Sequence, residues 1–347
     1  DQPGPPLSVP AGQLAASLEC SGPLGGSGHE PVLLVPGTTV TPEKNFSWNW
    51  IPALNTAGRP WCTVELPGSS MEDVQVAGEY VVSAIRTMHA QAGGEVDVVG
   101  HSQGGMVPRW ALRFWPDVRG MVDDLVGLAP SNHGTLSAEP LCSLDGCAPA
   151  IWQQRASSNF TKALNSRQET FDGIDYTAIY TITDVVVIPN LDDSGSSALR
   201  PGGGGSISNV RIQDVCPTDV SEHLALGTIS GPAYAVALDA LDHPGPADES
   251  RVPATTCLSP LMPGVNPATA AADLADAALY LATTLATYRH VAAEPPLACY
   301  TTASCPARGE TKGKSKRKCT KKGKRAAKGK KRAKRKCGKR RGKRKRR

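Results

Sequence analysis

The sequence predicts an α/β fold in which helices cover a mostly parallel central sheet. Three observations support this prediction: short apolar runs typical of strands buried on both faces, helical periodicity between those runs, and about 300 residues of ordinary globular composition. The chain has 347 residues, and no apolar run approaches the 18 or so residues that a membrane span needs. We therefore expect one large domain with a sizeable core.

Strand and helix signals alternate along the chain. Short apolar or β-branched runs predict strands at 31–35, 96–99, 125–129, 178–183 and 210–215. Apolar residues at spacings of three and four predict helices at about 70–89, at 103–114 and from 266 to 288. Ser70 and Asp73 are placed as a capping box for the first helix, and Asn266 and Pro267 as the N-cap and first position of the last one.

Charge is distributed very unevenly. Residues 308–347 contain 25 Lys or Arg and one acid, for a balance of +24, whereas residues 1–307 carry −18. The basic segment has no aromatic and almost no apolar residue, so we expect a disordered tail after a globular domain at 1–307. Such a tail favours an anionic polymer or an anionic membrane surface as a partner. Without aromatic residues, sequence-specific nucleic-acid binding is not expected.

Cysteine usage indicates an exported protein. The first 307 residues hold an even number of cysteines with no CxxC motif and no spacing typical of a zinc site, so disulfides are predicted. We expect a secreted protein, associated with the cell envelope if the tail binds there. The eight residues are Cys20, Cys62, Cys142, Cys147, Cys216, Cys257, Cys299 and Cys305. Cys319 and Cys337 in the tail have no assigned partner.

One sequence motif indicates a catalytic site. Gly100-His101-Ser102-Gln103-Gly104 fits G-x-S-x-G and lies between a predicted strand and a predicted helix, as a nucleophile elbow requires. The serine needs a base and an orienting carboxylate, which follow in the order acid, then histidine, in this class of enzyme. His223 follows a strand and is favoured over His133, His243 and His290. Asp184 ends a strand and is favoured over Asp192, Asp193 and Asp214, although spacing alone leaves these open.

The sequence resembles the family of α/β-hydrolases typified by Candida antarctica lipase B. The resemblance covers about residues 10–300 and rests on six segments with little change in spacing: Val35-Pro-Gly-Thr38, Trp50-Ile-Pro, Ser102-Gln-Gly-Gly105, Ala129-Pro130, Ile151-Trp-Gln-Gln154 and Thr183-Asp184. It implies an α/β-hydrolase fold, with Ser102, Asp184 and His223 as the catalytic triad and Thr38 and Gln103 as the oxyanion hole. No cofactor or metal is needed for this chemistry.

The resemblance also implies disulfides, pairing Cys20 with Cys62, Cys216 with Cys257 and Cys299 with Cys305. Cys142 and Cys147 have no counterpart in the family and fall where it has a short mobile lid. We expect them to form a clip that stiffens this lid.

Three further residues are predicted to bind substrate. His101 stands where the family has a bulky tryptophan on the alcohol side, and Ser131 replaces an acid, while Gln154 is retained on the acyl side. We expect a roomier or more polar alcohol pocket, shaped in part by His101.

The sequence therefore predicts a secreted, monomeric serine ester hydrolase, a lipase that hydrolyses or transesterifies acylglycerols through an acyl-enzyme. The alternatives are a short-chain or polyester esterase and, from a different class, an envelope- or polyanion-binding protein whose hydrolase body is a relic. The intact set of Ser102, Asp184, His223 and Thr38 argues against the relic.

Overall fold

Seven strands form one sheet in the computed structural model, which describes residues 3–143 and 145–302. In chain order they are β1 (Leu18–Cys20), β2 (Val32–Val35), β3 (Trp61–Val64), β4 (Val96–His101), β5 (Val122–Leu128), β6 (Asp175–Tyr180) and β7 (Ser206–Arg211). Their spatial order is β1-β3-β2-β4-β5-β6-β7. β1 pairs antiparallel with β3, and every other neighbouring pair is parallel. The predicted α/β architecture is confirmed.

Helices cover both faces of this sheet. Within the described residues they are α1 (Ala11–Ala16), α2 (Pro42–Phe46), α3 (Trp50–Thr56), α4 (Pro67–Ser70), α5 (Val74–Ala92), α6 (Gln103–Phe114), α7 (Ala138–Leu141), α8 (Pro149–Gln153), α9 (Asn159–Leu164), α10 (Ile212–Val215), α11 (His223–Thr228), α12 (Gly231–Asp242) and α13 (Ala270–Thr287). Short 3₁₀ turns lie at Pro116–Met121, Glu249–Arg251, Ala254–Leu258 and Cys299–Thr301.

The strand period of two divides the apolar residues between two cores. On β2, Leu33 and Val35 pack into the core that holds α5 and α6, whereas Val32 and Leu34 pack into the core that holds α3 and α12. Every residue of β2 and β4 is buried, as expected for central strands covered on both faces.

Several predicted boundaries shift. The helix expected from Ser70 begins at Val74, because Asp73 is its N-cap and accepts a hydrogen bond from the Gln75 N–H at 2.9 Å. The last helix begins at Ala270, since Asn266 and Pro267 form a turn before it. The strand expected at 210–215 ends at Arg211 and continues as α10.

Three disulfides lie within the described residues: Cys20–Cys62, Cys142–Cys147 and Cys216–Cys257. Cys299 is also disulfide-bonded. Cys305, Cys319, Cys337 and the predicted tail at 308–347 lie outside the described residues. Among the helices that the structure describes, none is long and apolar enough to cross a membrane.

Candidate active site

Ser102 lies on a sharp turn between β4 and α6. Its backbone has φ 57° and ψ −123°, a strained conformation that lifts the side chain above the carboxyl edge of the sheet. A Cβ on Gly100 would lie 2.0 Å from the carbonyl oxygen of Gly104, and one on Gly104 would lie 2.0 Å from that of Val35. The two glycines of the motif are therefore required by the close backbone packing of the turn.

A linear chain of hydrogen bonds joins Ser102 to His223 and Asp184. The Oγ of Ser102 lies 2.9 Å from Nε2 of His223, and Nδ1 of His223 lies 2.9 Å from Oδ2 of Asp184. The second oxygen, Oδ1, accepts hydrogen bonds from the N–H groups of Val186 and Val187, both at 2.8 Å. With Asp184 ionised, Nδ1 of His223 carries the proton, which leaves Nε2 free to accept the serine proton.

Local structure fixes the positions of the acid and the base. Asp184 lies four residues after the end of β6, at the edge of the sheet that also bears Ser102. His223 is the first residue of α11, and Glu222 caps that helix by accepting hydrogen bonds from the N–H groups of Leu224 and Ala225. The side chains of Ser102, His223 and Asp184 are all buried.

The competing candidates have other partners. His133 lies 2.8 Å from Glu169, and His243 contacts Asp239. The remaining competitors are likewise placed elsewhere: Asp214 pairs with Arg211, Asp193 accepts from Tyr180, Asp192 accepts from Ser194, and His290 lines a neighbouring cavity. The structure brings together the favoured Ser102, Asp184 and His223.

Thr38 and Gln103 lie beside Ser102, as the resemblance implies. The Thr38 hydroxyl donates to Oε1 of Gln103 at 2.8 Å, and Nε2 of Gln154 donates to both residues, also at 2.8 Å. As the first residue of α6, Gln103 has a backbone N–H without an intrahelical acceptor. That N–H and the backbone N–H of Thr38, joined by the Thr38 hydroxyl once it rotates away from Gln103, form a cluster suited to a developing oxyanion.

His101 is not among the residues that line the cavity beside Ser102. Its ring is buried beneath the catalytic chain, with Nδ1 3.1 Å from the amide nitrogen of Asn45 and Nε2 3.2 Å from the carbonyl oxygen of His223. A Cβ on Gly227 would lie 2.1 Å from the ring, so the site is fully packed. His101 therefore supports the segment that bears His223.

Ser131 is likewise absent from the residues that line this cavity, whereas Gln154 is among them. The Ser131 hydroxyl is buried and donates to Oε1 of Gln154 at 2.9 Å. Ser131 thus orients the amide of Gln154, which in turn contacts Thr38. Asn45 was not predicted from the sequence; its Oδ1 accepts a hydrogen bond from the Gly37 N–H at 2.9 Å and fixes the loop that bears Thr38. An asparagine eight residues after that loop carries no sequence signal for this role.

The cavity above Ser102 has a volume of about 110 Å³ and mostly apolar walls. Ala138 and Leu141 of α7, Ile151 of α8 and Leu281 and Leu285 of α13 contribute to these walls. A second apolar cavity of about 340 Å³ shares Leu141, Ile151 and Leu285 with it. The sequence predicted the apolar stripe of the last helix but not that the stripe would face this cavity.

The chain is similar to known lipases in sequence and in fold. Residues 79–209 match the model of the family described as Lipase (class 2). The chain is 38% identical over 223 residues to Lipase B of Pseudozyma antarctica, and the match spans 63% of this chain and 64% of that protein. The crystal structure of Aspergillus fumigatus lipase B superimposes with a TM-score of 0.79 at 29% identity, covering 87% of this chain and 74% of that one. The predicted resemblance and the α/β-hydrolase fold are confirmed.

Proposed function

Since the chain is similar to lipase B in both sequence and fold, we propose that it is a serine ester hydrolase of the lipase type. The observation that carries the proposal is the Ser102–His223–Asp184 chain, with both hydrogen bonds at 2.9 Å, on a strained elbow that opens into an apolar cavity. The substrate class is a carboxylic ester with an apolar acyl group, including acylglycerols.

In the proposed mechanism, His223 removes the Ser102 proton as Oγ attacks the ester carbonyl carbon. Asp184 holds the imidazole in the required tautomer and stabilises the imidazolium that forms. The carbonyl oxygen becomes an oxyanion, which the N–H of Gln103 and the N–H and hydroxyl of Thr38 stabilise. The ester C–O bond then breaks as the imidazolium protonates the leaving alcohol, which leaves the acyl group on Ser102. Water, or a second alcohol, attacks the acyl-enzyme with His223 again acting as base, and the bond to Ser102 breaks as His223 returns the proton to Oγ.

An exposed apolar rim around the cavity supports a lipid substrate. Leu136, Leu141, Val185 and Val186 are between 40% and 70% exposed, and each lines the cavity or is adjacent in sequence to a residue that does. Clustered exposed apolar side chains favour contact with an apolar surface. The rim therefore favours a lipase over an enzyme for small soluble esters.

A short-chain esterase is the alternative that one observation favours. A cavity of about 110 Å³ is small compared with the roughly 300 Å³ at the low end for ligand pockets. A longer acyl chain requires the adjoining cavity of about 340 Å³, which shares a wall formed by Leu141, Ile151 and Leu285. The dependence of activity on acyl-chain length distinguishes a lipase from a short-chain esterase.

Hydrolysis of chromogenic esters from short to long acyl chains tests both points. Ser102→Ala should reduce kcat/KM by about three orders of magnitude or more, because the nucleophile is lost. Ser194→Ala, which truncates an exposed serine, is the matched control and should retain full activity. Activity that persists in Ser102→Ala would contradict the mechanism. Activity confined to short-chain esters would identify the protein as an esterase and not a lipase.

We further propose that the protein is secreted, as a monomer, and held at anionic polymers or membranes by residues 308–347. The disulfide bonds support secretion, and the +24 charge of residues 308–347 supports binding to anionic polymers or membranes.

A further inference from the structure

Three aspartates meet at the amino-terminal edge of the sheet, opposite the edge that bears Ser102. β4 and β5 pair with a register shift: Val96 faces Val122 and Val98 faces Leu125. Asp97 on β4 therefore faces two residues of β5, Asp123 and Asp124. The extra residue is a β-bulge, a device that re-aims side chains. One carboxylate oxygen from each of the three aspartates lies within 4.8 Å of the others.

Two of these carboxylates are buried with unpaired oxygens. Asp97 and Asp124 are 1% and 4% exposed, and Oδ1 of each has no hydrogen-bond partner within the described residues. A buried polar atom without a partner is costly, so such atoms are rare in folded proteins. Two of them in one cluster of like charge point to a positive ligand.

The neighbouring arginine does not meet this need. Nη1 of Arg59 lies 3.1 Å from Oδ2 of Asp97, while its Nη2 donates to Asp242 and to the carbonyl oxygen of Leu241. Both terminal nitrogens are therefore engaged, and the Oδ1 atoms of Asp97 and Asp124 remain unpaired.

Further negative charge surrounds the cluster. Glu30 lies near Asp97, and Asp175 lies near Asp124. Arg59 is the cation that contacts Asp97 here, and a bound cation would add a second positive charge among these acids.

We propose that Asp97, Asp123 and Asp124 bind a hard divalent cation, calcium, with water completing the coordination sphere. Oxygen-only ligands select a hard cation over zinc or copper. Two oxygens on opposite sides of a calcium ion are about 4.6–5.2 Å apart, so the carboxylates need little movement. Asp123 is only partly buried and provides a route for the ion and its waters.

Calcium titration of the full-length protein after EDTA treatment and dialysis tests this proposal. Calorimetry should give one site with Kd of about 10⁻⁴–10⁻³ M, the range for weak calcium sites. The melting temperature should rise by a few degrees at 10 mM calcium, since a ligand of the native state stabilises it. Magnesium at the same concentration should have a smaller effect because it demands tighter octahedral geometry.

Asp124→Asn and Asp123→Asn should each weaken calcium binding at least tenfold. The second variant is included because Asp123 is partly exposed, so its substitution is compatible with folding even if the buried one is not. Glu65→Gln, which neutralises an exposed acid, is the control and should keep the wild-type calcium response.

Two results would overturn the proposal. The first is a wild-type protein without calcium heat and without a shift in melting temperature. The second is a wild-type response to calcium in both Asp124→Asn and Asp123→Asn.

Discussion

Thr38 offers two donors to the proposed oxyanion site, its backbone N–H and its hydroxyl. Thr38→Val removes the hydroxyl while keeping the β-branched shape. We expect kcat to fall by about 10²-fold with little change in KM, because an oxyanion donor acts mainly in the transition state. Steady-state kinetics with a dissolved ester measure this, and Thr38→Ser should restore most of the rate. Equal kcat in Thr38→Val and the wild type would remove the hydroxyl from the mechanism.

His101 provides a prediction about stability and pH. Burial, followed by the charge of His223, lowers the pKa of His101 to about 3, so the folded protein holds it neutral. In the unfolded chain the imidazole takes up a proton below pH 6.5, so its contribution to stability is present above that pH and is lost as pH falls. Between pH 7 and pH 5 the loss amounts to about 2 kcal/mol.

Chemical denaturation of the wild type and His101→Asn at both pH values tests this. The free energy of unfolding of His101→Asn, relative to that of the wild type, should rise by about 2 kcal/mol between pH 7 and pH 5. A difference between the two proteins that does not change with pH would show that His101 is protonated in the folded state.

Single residues differ in how far the sequence could predict them. Ser102 was predictable because its motif is local and requires glycines at fixed positions. Asp184 and His223 lie 39 residues apart and are joined by the fold, so spacing left competitors open. The role of His101 was not predictable, since the direction of its ring depends on Asn45 and on the space left by Gly227.

At the scale of elements, the Cys142–Cys147 disulfide closes the segment that follows α7. Leu141 of α7 lines both apolar cavities, and Cys147 pairs with Val291 through backbone hydrogen bonds. We expect the disulfide to restrain movement of α7 over the cavity. The double variant Cys142→Ala/Cys147→Ala should therefore raise the ratio of activity on emulsified esters to activity on dissolved esters. An unchanged ratio would contradict a restraining role.

Elements were predictable where the pattern is local. The bounds of α6 match the predicted 103–114, and the central strands were evident as apolar runs. Helix starts were less predictable. Ser70 and Asp73 are both suitable N-cap residues, and only the folded structure selects Asp73. The bulge between β4 and β5 depends on how two strands pair, which neither strand encodes alone.

For the whole molecule, the opposed charges of the two segments predict salt-dependent retention. The full-length protein should bind a polyanion resin at low salt and elute as salt rises, because counterion release drives such binding. A chain ending at residue 307 carries −18 and should pass through the resin while keeping its activity on a dissolved ester. Retention that survives the deletion would refute the proposed anchor.

Labelling by an alkyl p-nitrophenyl phosphonate tests whether Ser102 is the nucleophile, since it requires an activated serine but no knowledge of the natural ester. Oγ attacks phosphorus and p-nitrophenolate leaves, which gives a stable adduct detectable by mass. We expect one adduct per chain, on the peptide that contains Ser102, and its loss in Ser102→Ala and in His223→Ala. An unlabelled protein, or an adduct on another serine, would show that Ser102 is not the nucleophile.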